Sequence, residues 1–325
     1  MSAAPRSGEF QTSDAAGWAL LLLLALGLLA VQLTAPLTID PASLIKLAVA
    51  GSTLVAAALF YRWRRPNPAF AAMCFGLTQV LLFSAMGALL SYALARNGGA
   101  LWDESFARWD RALGFDWLGY VRWVDQSELI ATTYRYAYAS LVPQVVVLVI
   151  VLGFTLRLAL LRAVLAAAMI SGTSIVLLSA LFPAESNFVA LGLKAEDFTH
   201  VNPFAGFSHY PHLVALREGT EFVIRLPEMQ GIITFPSYHA GLATVTLWGF
   251  VRSGIAPLQW LGGLTALLTI LATPVDGGHY VVDVLAGIGI AAASILAARQ
   301  AVRWSPALRP IRPSPFRRSR AASGQ

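Results

Sequence analysis

Apolar residues run along this chain in eight long blocks, at about 17–35, 43–61, 70–94, 130–154, 159–182, 237–252, 257–275 and 280–299. Most reach the ~18–20 residues that a helix needs to cross about 30 Å of hydrocarbon. None alternates apolar with polar residues at the period of a strand, and only helices and closed barrels satisfy their backbone polar groups in lipid. The pattern predicts an all-α fold, a polytopic transmembrane helix bundle of about eight spans. Between the third and fourth blocks, tryptophan recurs at 102, 109, 117 and 123 among Asp and Arg residues, close to a heptad spacing. That segment predicts amphipathic helices lying at the membrane interface.

Composition agrees with a membrane protein: 12% of residues are charged, against roughly a quarter in a soluble domain. The formal charge of +6 does not point to nucleic acid, because seven arginines stand from Arg299 onward with no acid among them. Such a tail, residues 301–325, reads as a basic cytoplasmic anchor beside anionic headgroups. Pro306, Pro310, Pro313 and Pro315 oppose a continuous helix there. At the other end, Arg6, Glu9 and Asp14 before the first block predict an uncleaved signal anchor. The single cysteine, Cys74, lies inside a block, so no intrachain disulfide is possible.

Short loops set the orientation. Arg62, Arg64 and Arg65 follow the second block, Arg157 and Arg162 flank the fourth-to-fifth turn, and Arg252 closes the sixth. Every even-numbered exit is therefore positive and cytoplasmic. Both termini are expected inside a multi-pass protein of the cytoplasmic (inner) membrane. Lys46 is the exception, read as snorkelling from the outer end of its span. The loop at 183–236 carries six Asp/Glu against three Lys/Arg and is expected outside.

Against this background "GGHYVVDV", residues 277–284, puts His279 and Asp283 one helical turn apart at the mouth of the last span. Ionisable groups inside a span are costly and mark functional sites. "TFPSYHA", residues 234–240, opens the sixth span with Pro236 and Ser237, residues suited to a helix start, and His239 follows in the first turn. The topology brings all of these to one outer face. A helix N-terminus binds phosphate, one histidine can attack phosphorus, the other can protonate the departing oxygen, and a carboxylate can hold the attacking ring in the right tautomer. Two interfacial histidines capping helices, with Asp283 as a structural partner, is the bland alternative.

"PSYHAG" at 236–241 with "HYVVDVLAG" at 279–287 resembles the second and third motifs of the type 2 phosphatidic acid phosphatase superfamily. The closer resemblance is to its inositol phosphorylceramide synthase branch, the aureobasidin target group, and it covers roughly residues 100–300. The resemblance implies His279 as nucleophile through a phosphohistidine, Asp283 as its orienting partner and His239 as general acid. It also implies a catalytic membrane domain at 96–300 after N-terminal helices at 1–95. No cofactor is called for, and the expected partners are membrane lipids: a phospholipid donor, and a lipid hydroxyl or water as acceptor.

Departures from the family pattern bear on the substrate. The phosphatase members hold phosphate with three cations, yet Thr273 stands where the last arginine belongs, and Lys194 is followed at the family spacing by Val201 and Asn202 instead of arginine–proline. Arg135, in "TTYRYAYAS", is the candidate replacement, beside Ser237 as phosphate-binding residue; Arg217 and Arg225 are weaker ones. His200, His209 and His212 share the large loop without fixed metal-ligand spacing, so no metal is expected. The expected activity is lipid head-group phosphotransfer from a diester, with hydrolysis of a phosphomonoester as the alternative. A carrier or proton-coupled transporter is the rival from another class, though no internal repeat suggests transporter halves.

Overall fold

The structure is a computed structural model that describes residues 15–96, 98–220 and 222–304; the expected signal anchor around Arg6, Glu9 and Asp14 and the proline-rich tail beyond Trp304 lie outside the described residues. In chain order the helices are α1 (Ala15–Thr34), α2 (Pro41–Trp63), α3 (Pro68–Ala95), α4 (Asp103–Ala112), α5 (Trp117–Asp125), α6 (Glu128–Ala139) and α7 (Leu141–Phe154). Then follow α8 (Leu158–Ser179), α9 (Asn187–Ala190), α10 (Phe204–Ser208), α11 (Tyr210–Glu218), α12 (Tyr238–Arg252), α13 (Gly263–Asp276) and α14 (Val281–Trp304). Among the described residues the only β pairing is an isolated bridge between Ile39 and Ile224.

Every apolar block is helical, and local chemistry explains many of the starts. Asp40 and Asn67 cap α2 and α3 by accepting the backbone N–H of Ser43 and Phe70, and each is followed by proline at the first helical position. Ser127 and Ser237 cap α6 and α12 in the same way. Six helices are long and apolar enough to cross a membrane, and α6 with α7 forms a seventh candidate bent by 52°.

Two blocks thus differ from simple spans. The block at 130–154 breaks at Ser140 because Pro143 offers no N–H and its ring clashes with the carbonyl one turn back, at Ala139. Side chains heal part of the break: Thr269 donates to the Ala137 carbonyl at 2.8 Å, and Gln144 donates to both Ser140 and Thr269 at 2.9 Å. The block at 237–252 is a helix of only 15 residues, about 22 Å long. It falls short of the hydrocarbon thickness and packs inside the bundle against α8, α13 and α14.

The core is built around α8, the most buried of the long helices, which contacts α3, α12 and α14. α1 and α2 are the least buried and flank α3. The tryptophan segment does form helices, α4 and α5, but they dock onto the bundle end instead of only resting at an interface. Trp117 is 5% exposed and its indole N–H donates to the Pro274 carbonyl at 3.1 Å, while Trp109 and Trp123 remain exposed. Asp125, at the end of α5, accepts the backbone N–H groups of Thr199, His200 and Val201 and pins the large loop. Burial raises the pKa of that carboxyl, but the three N–H bonds outweigh it and the net shift is downward.

Candidate functional site

The two motifs meet because glycine lets their helices touch. A Cβ on Gly287 would lie 2.2 Å from the Ser237 carbonyl oxygen, and one on Gly241 would lie 3.2 Å from the Gly287 carbonyl oxygen. Backbone thus rests on backbone at the crossing of α12 and α14. The Ser237 N–H donates to the Asp283 carbonyl at 3.0 Å, tying the start of one motif to the helix of the other. Ser237 is fully buried and its hydroxyl accepts from the Ala240 N–H, so the side chain is used as a helix cap.

His279 lies just before α14 and is 5% exposed. Its Nδ1 faces two acceptors, the Thr234 carbonyl at 2.9 Å and Asp283 Oδ2 at 3.4 Å. Nδ1 therefore carries the proton, and Nε2 keeps its lone pair. The nearer acceptor is Thr234, so the loop before α12 does most to orient the ring. Burial, more than any neighbour, lowers the His279 pKa and keeps the ring neutral. Asp283 is fully buried and its Oδ2 also accepts the Tyr280 N–H at 2.9 Å, as the third residue of a capping box does. Its Oδ1 has no hydrogen-bond partner among the described residues.

His239, in the first turn of α12, stacks on Tyr138, with ring centroids 4.2 Å apart and planes within 7°. The two histidines line one cavity of about 220 Å³, with Tyr138, Tyr238, Thr234 and His209. Phe83, Ser84, Gly87, Ala88 and Ser91 of α3 also line it. α3 belongs to the segment that sequence reasoning set outside the catalytic part. No lysine or arginine is among the described residues lining this cavity.

The structure brings His279, Asp283, Ser237 and His239 together and leaves the expected cations elsewhere. Arg135 is exposed on α6, near the Thr132 hydroxyl and over the Tyr136 ring. The bend at Ser140 puts this residue on a helix that departs from the line of α7, which the hydropathy of the block did not reveal. Thr273 is buried and donates to the Thr269 carbonyl of its own helix. Lys194 is exposed, Arg217 donates to the Gly99 carbonyl, and Arg225 pairs with Glu228 at the surface. His212 is bonded through Nδ1 to the Tyr92 hydroxyl, and the backbone of His200 is held by Asp125.

Sequence reasoning missed two carboxylates of α4. Asp110 accepts the Val281 and Val282 N–H groups at 2.8 and 2.9 Å, and so occupies the N-terminus of α14. Asp103 accepts from the Tyr280 hydroxyl at 2.9 Å and from the Glu185 N–H at 3.1 Å. Seven residues apart, the pair lies on one face of α4: Asp110 holds the backbone at Val281 and Val282, and Asp103 holds the side chain of Tyr280, directly after His279. Burial raises the pKa of both, and their hydrogen bonds offset part of that shift. The legible signal was the spacing of two acids in a helix too short to span.

No curated protein and no solved structure matches the chain. Residues 104–297 match the family model described as the PAP2 superfamily, and this match takes in α4, the large loop, both histidine motifs and most of α14. The superfamily takes in membrane lipid phosphatases and phosphotransferases, and the chain belongs to the PAP2 superfamily.

Proposed function

We propose that the chain transfers the phosphorylated head group of a glycerophospholipid diester to a lipid hydroxyl, as inositol phosphorylceramide synthases do. His279 Nε2 attacks phosphorus, the P–O bond to the diacylglycerol breaks, and the departing oxygen takes a proton from His239. The acceptor hydroxyl then gives its proton to His239, its oxygen attacks phosphorus, and the P–N bond to His279 breaks. Asp283 and the Thr234 carbonyl hold the attacking ring in one tautomer throughout. Stacking on Tyr138 fixes the plane of the proton-transfer ring.

The observation that carries the diester reading is the absence of lysine and arginine from the described lining of the cavity. A phosphomonoester holds close to two negative charges near neutral pH, a diester one, and the stabilising groups should match the charge that develops. The cavity, about 220 Å³, is below the roughly 300–1,000 Å³ of pockets that enclose a whole small ligand. It suits a phosphoryl group with its nearest substituents, leaving acyl chains in the bilayer. The test is to supply purified protein with head-group-labelled phosphatidylinositol plus ceramide and, separately, with phosphatidic acid. Label is expected in a new lipid. Fast release of inorganic phosphate from phosphatidic acid, with no labelled new lipid, would make the protein an ordinary lipid phosphatase.

The charge pattern of the short loops supports a site that opens to the outer face of the membrane, with the turn between α7 and α8 in the cytoplasm. In a Cys74→Ser background, Glu196→Cys is expected to react with an impermeant thiol reagent in intact cells, and Thr155→Cys only after lysis. The reverse pattern would put the chemistry inside.

A further inference from the structure

His209, between α10 and α11, takes no part in the steps above, yet it lines the same cavity as His239 and His279 and is 3% exposed. Its Nδ1 lies 3.0 Å from the Ala205 carbonyl oxygen. A carbonyl only accepts, so Nδ1 carries the proton and Nε2 offers a lone pair. Nε2 is buried and has no partner among the described residues. Leaving a buried polar atom unpaired is costly, so its persistence calls for a ligand.

The surrounding loop is fastened by bonds that leave His209 out. The Ser208 hydroxyl donates to Gln230 Oε1 at 2.9 Å, the Gln230 N–H donates to the Tyr92 hydroxyl, and the Tyr92 hydroxyl pairs with His212 Nδ1 at 2.7 Å. Burial lowers the His209 pKa, which keeps the ring neutral. An acceptor-only nitrogen has nothing to offer an ionised phosphodiester, whose oxygens also only accept. It needs an O–H or N–H donor.

We infer that His209 is a substrate-binding residue that accepts a hydrogen bond from a lipid hydroxyl through Nε2. The inference rests on the reading of the cavity as a lipid phosphotransfer site and adds what selects its alcohol. Two sources carry this chemistry, the hydroxyl of an accepting lipid such as ceramide and a hydroxyl of a polyol head group on the donor.

Binding separates them without turnover. Photoreactive ceramide and photoreactive phosphatidylinositol are each supplied in detergent micelles to the full-length protein, to His209→Gln, which keeps an acceptor, and to His209→Leu, which keeps bulk without one. The wild type is expected to be labelled, the Gln variant to retain most of that labelling, and the Leu variant to bind about tenfold more weakly, the equivalent of one neutral hydrogen bond. Loss confined to ceramide assigns the hydroxyl to the acceptor lipid, and loss confined to phosphatidylinositol assigns it to the head group. Wild-type labelling by the Leu variant, or equal loss in the Gln and Leu variants, overturns the inference. Labelling that follows the expected order in a protein without transferase activity would overturn the proposed reaction and leave His209 as a hydroxyl-binding residue.

Discussion

Replacing His279 by alanine is expected to abolish head-group transfer, lowering the rate by at least about 10⁴-fold, because no other histidine lining the cavity has a carboxylate beside its protonated nitrogen to stabilise the cation formed on attack. The wild type incubated with labelled donor and no acceptor is expected to hold an acid-labile phosphoryl label, and the alanine variant none. Asp283→Asn should retain the fold, since an amide oxygen can still accept the Tyr280 N–H, but it removes the negative charge beside a ring that becomes cationic during attack. A fall of roughly 10²–10⁴-fold is expected. His239→Ala should be partly rescued by a diester with a good leaving group, since only proton transfer is lost. Rescue in His279→Ala instead would exchange the two roles. Wild-type turnover in all three variants would take His279, Asp283 and His239 out of the chemistry.

The second large effect is expected from a single methyl group. In Gly287→Ala the new Cβ would meet the Ser237 carbonyl oxygen at 2.2 Å and the Gly241 nitrogen at 3.3 Å. Both are backbone atoms and neither can rotate away, so α12 must move off α14. Overpacking of this kind costs about 1–3 kcal/mol, and a displacement near 1 Å at a reacting group can cost about 10²-fold in rate. Gly289→Ala is the matched control, because nothing lies within 4 Å of its added Cβ. Activity and thermal unfolding of the two variants, measured side by side, test the crossing. Equal behaviour of both would mean that the close approach does not position His239 against His279.

Hydropathy made the helices legible because burial in lipid requires long apolar runs, and the charge of the short turns is equally local. The bend at Ser140 was hidden, since Pro143 is apolar and does not interrupt the hydropathy of its block. The shortness of α12 was legible, since its block at 237–252 already matches the helix Tyr238–Arg252. At the site, His279, Asp283, His239 and Ser237 stood out as polar residues in apolar surroundings. The Thr234 carbonyl did not, because a backbone acceptor has no sequence signature and becomes specific only when a loop delivers it. His209 was visible only as one of several loop histidines until folding buried it in the cavity. Gly241 and Gly287 close the two short motifs, and their meaning emerges only from the contact between them.

The carboxylate of Asp110 at the N-terminus of α14 has a consequence for how the protein treats anions at rest. The positive end of a helix attracts any phosphate that reaches it, and here that attraction is satisfied internally. A resting substrate gains little from α14, and neither inorganic phosphate nor a released phosphorylated product can linger at that helix end. In the proposed reaction, favourable interaction is thereby kept for the moment when charge develops between His279 and His239, which would accelerate a step where equal grip on substrate and transition state would not. Asp110 in effect fills that anion site permanently with a carboxylate from the chain itself.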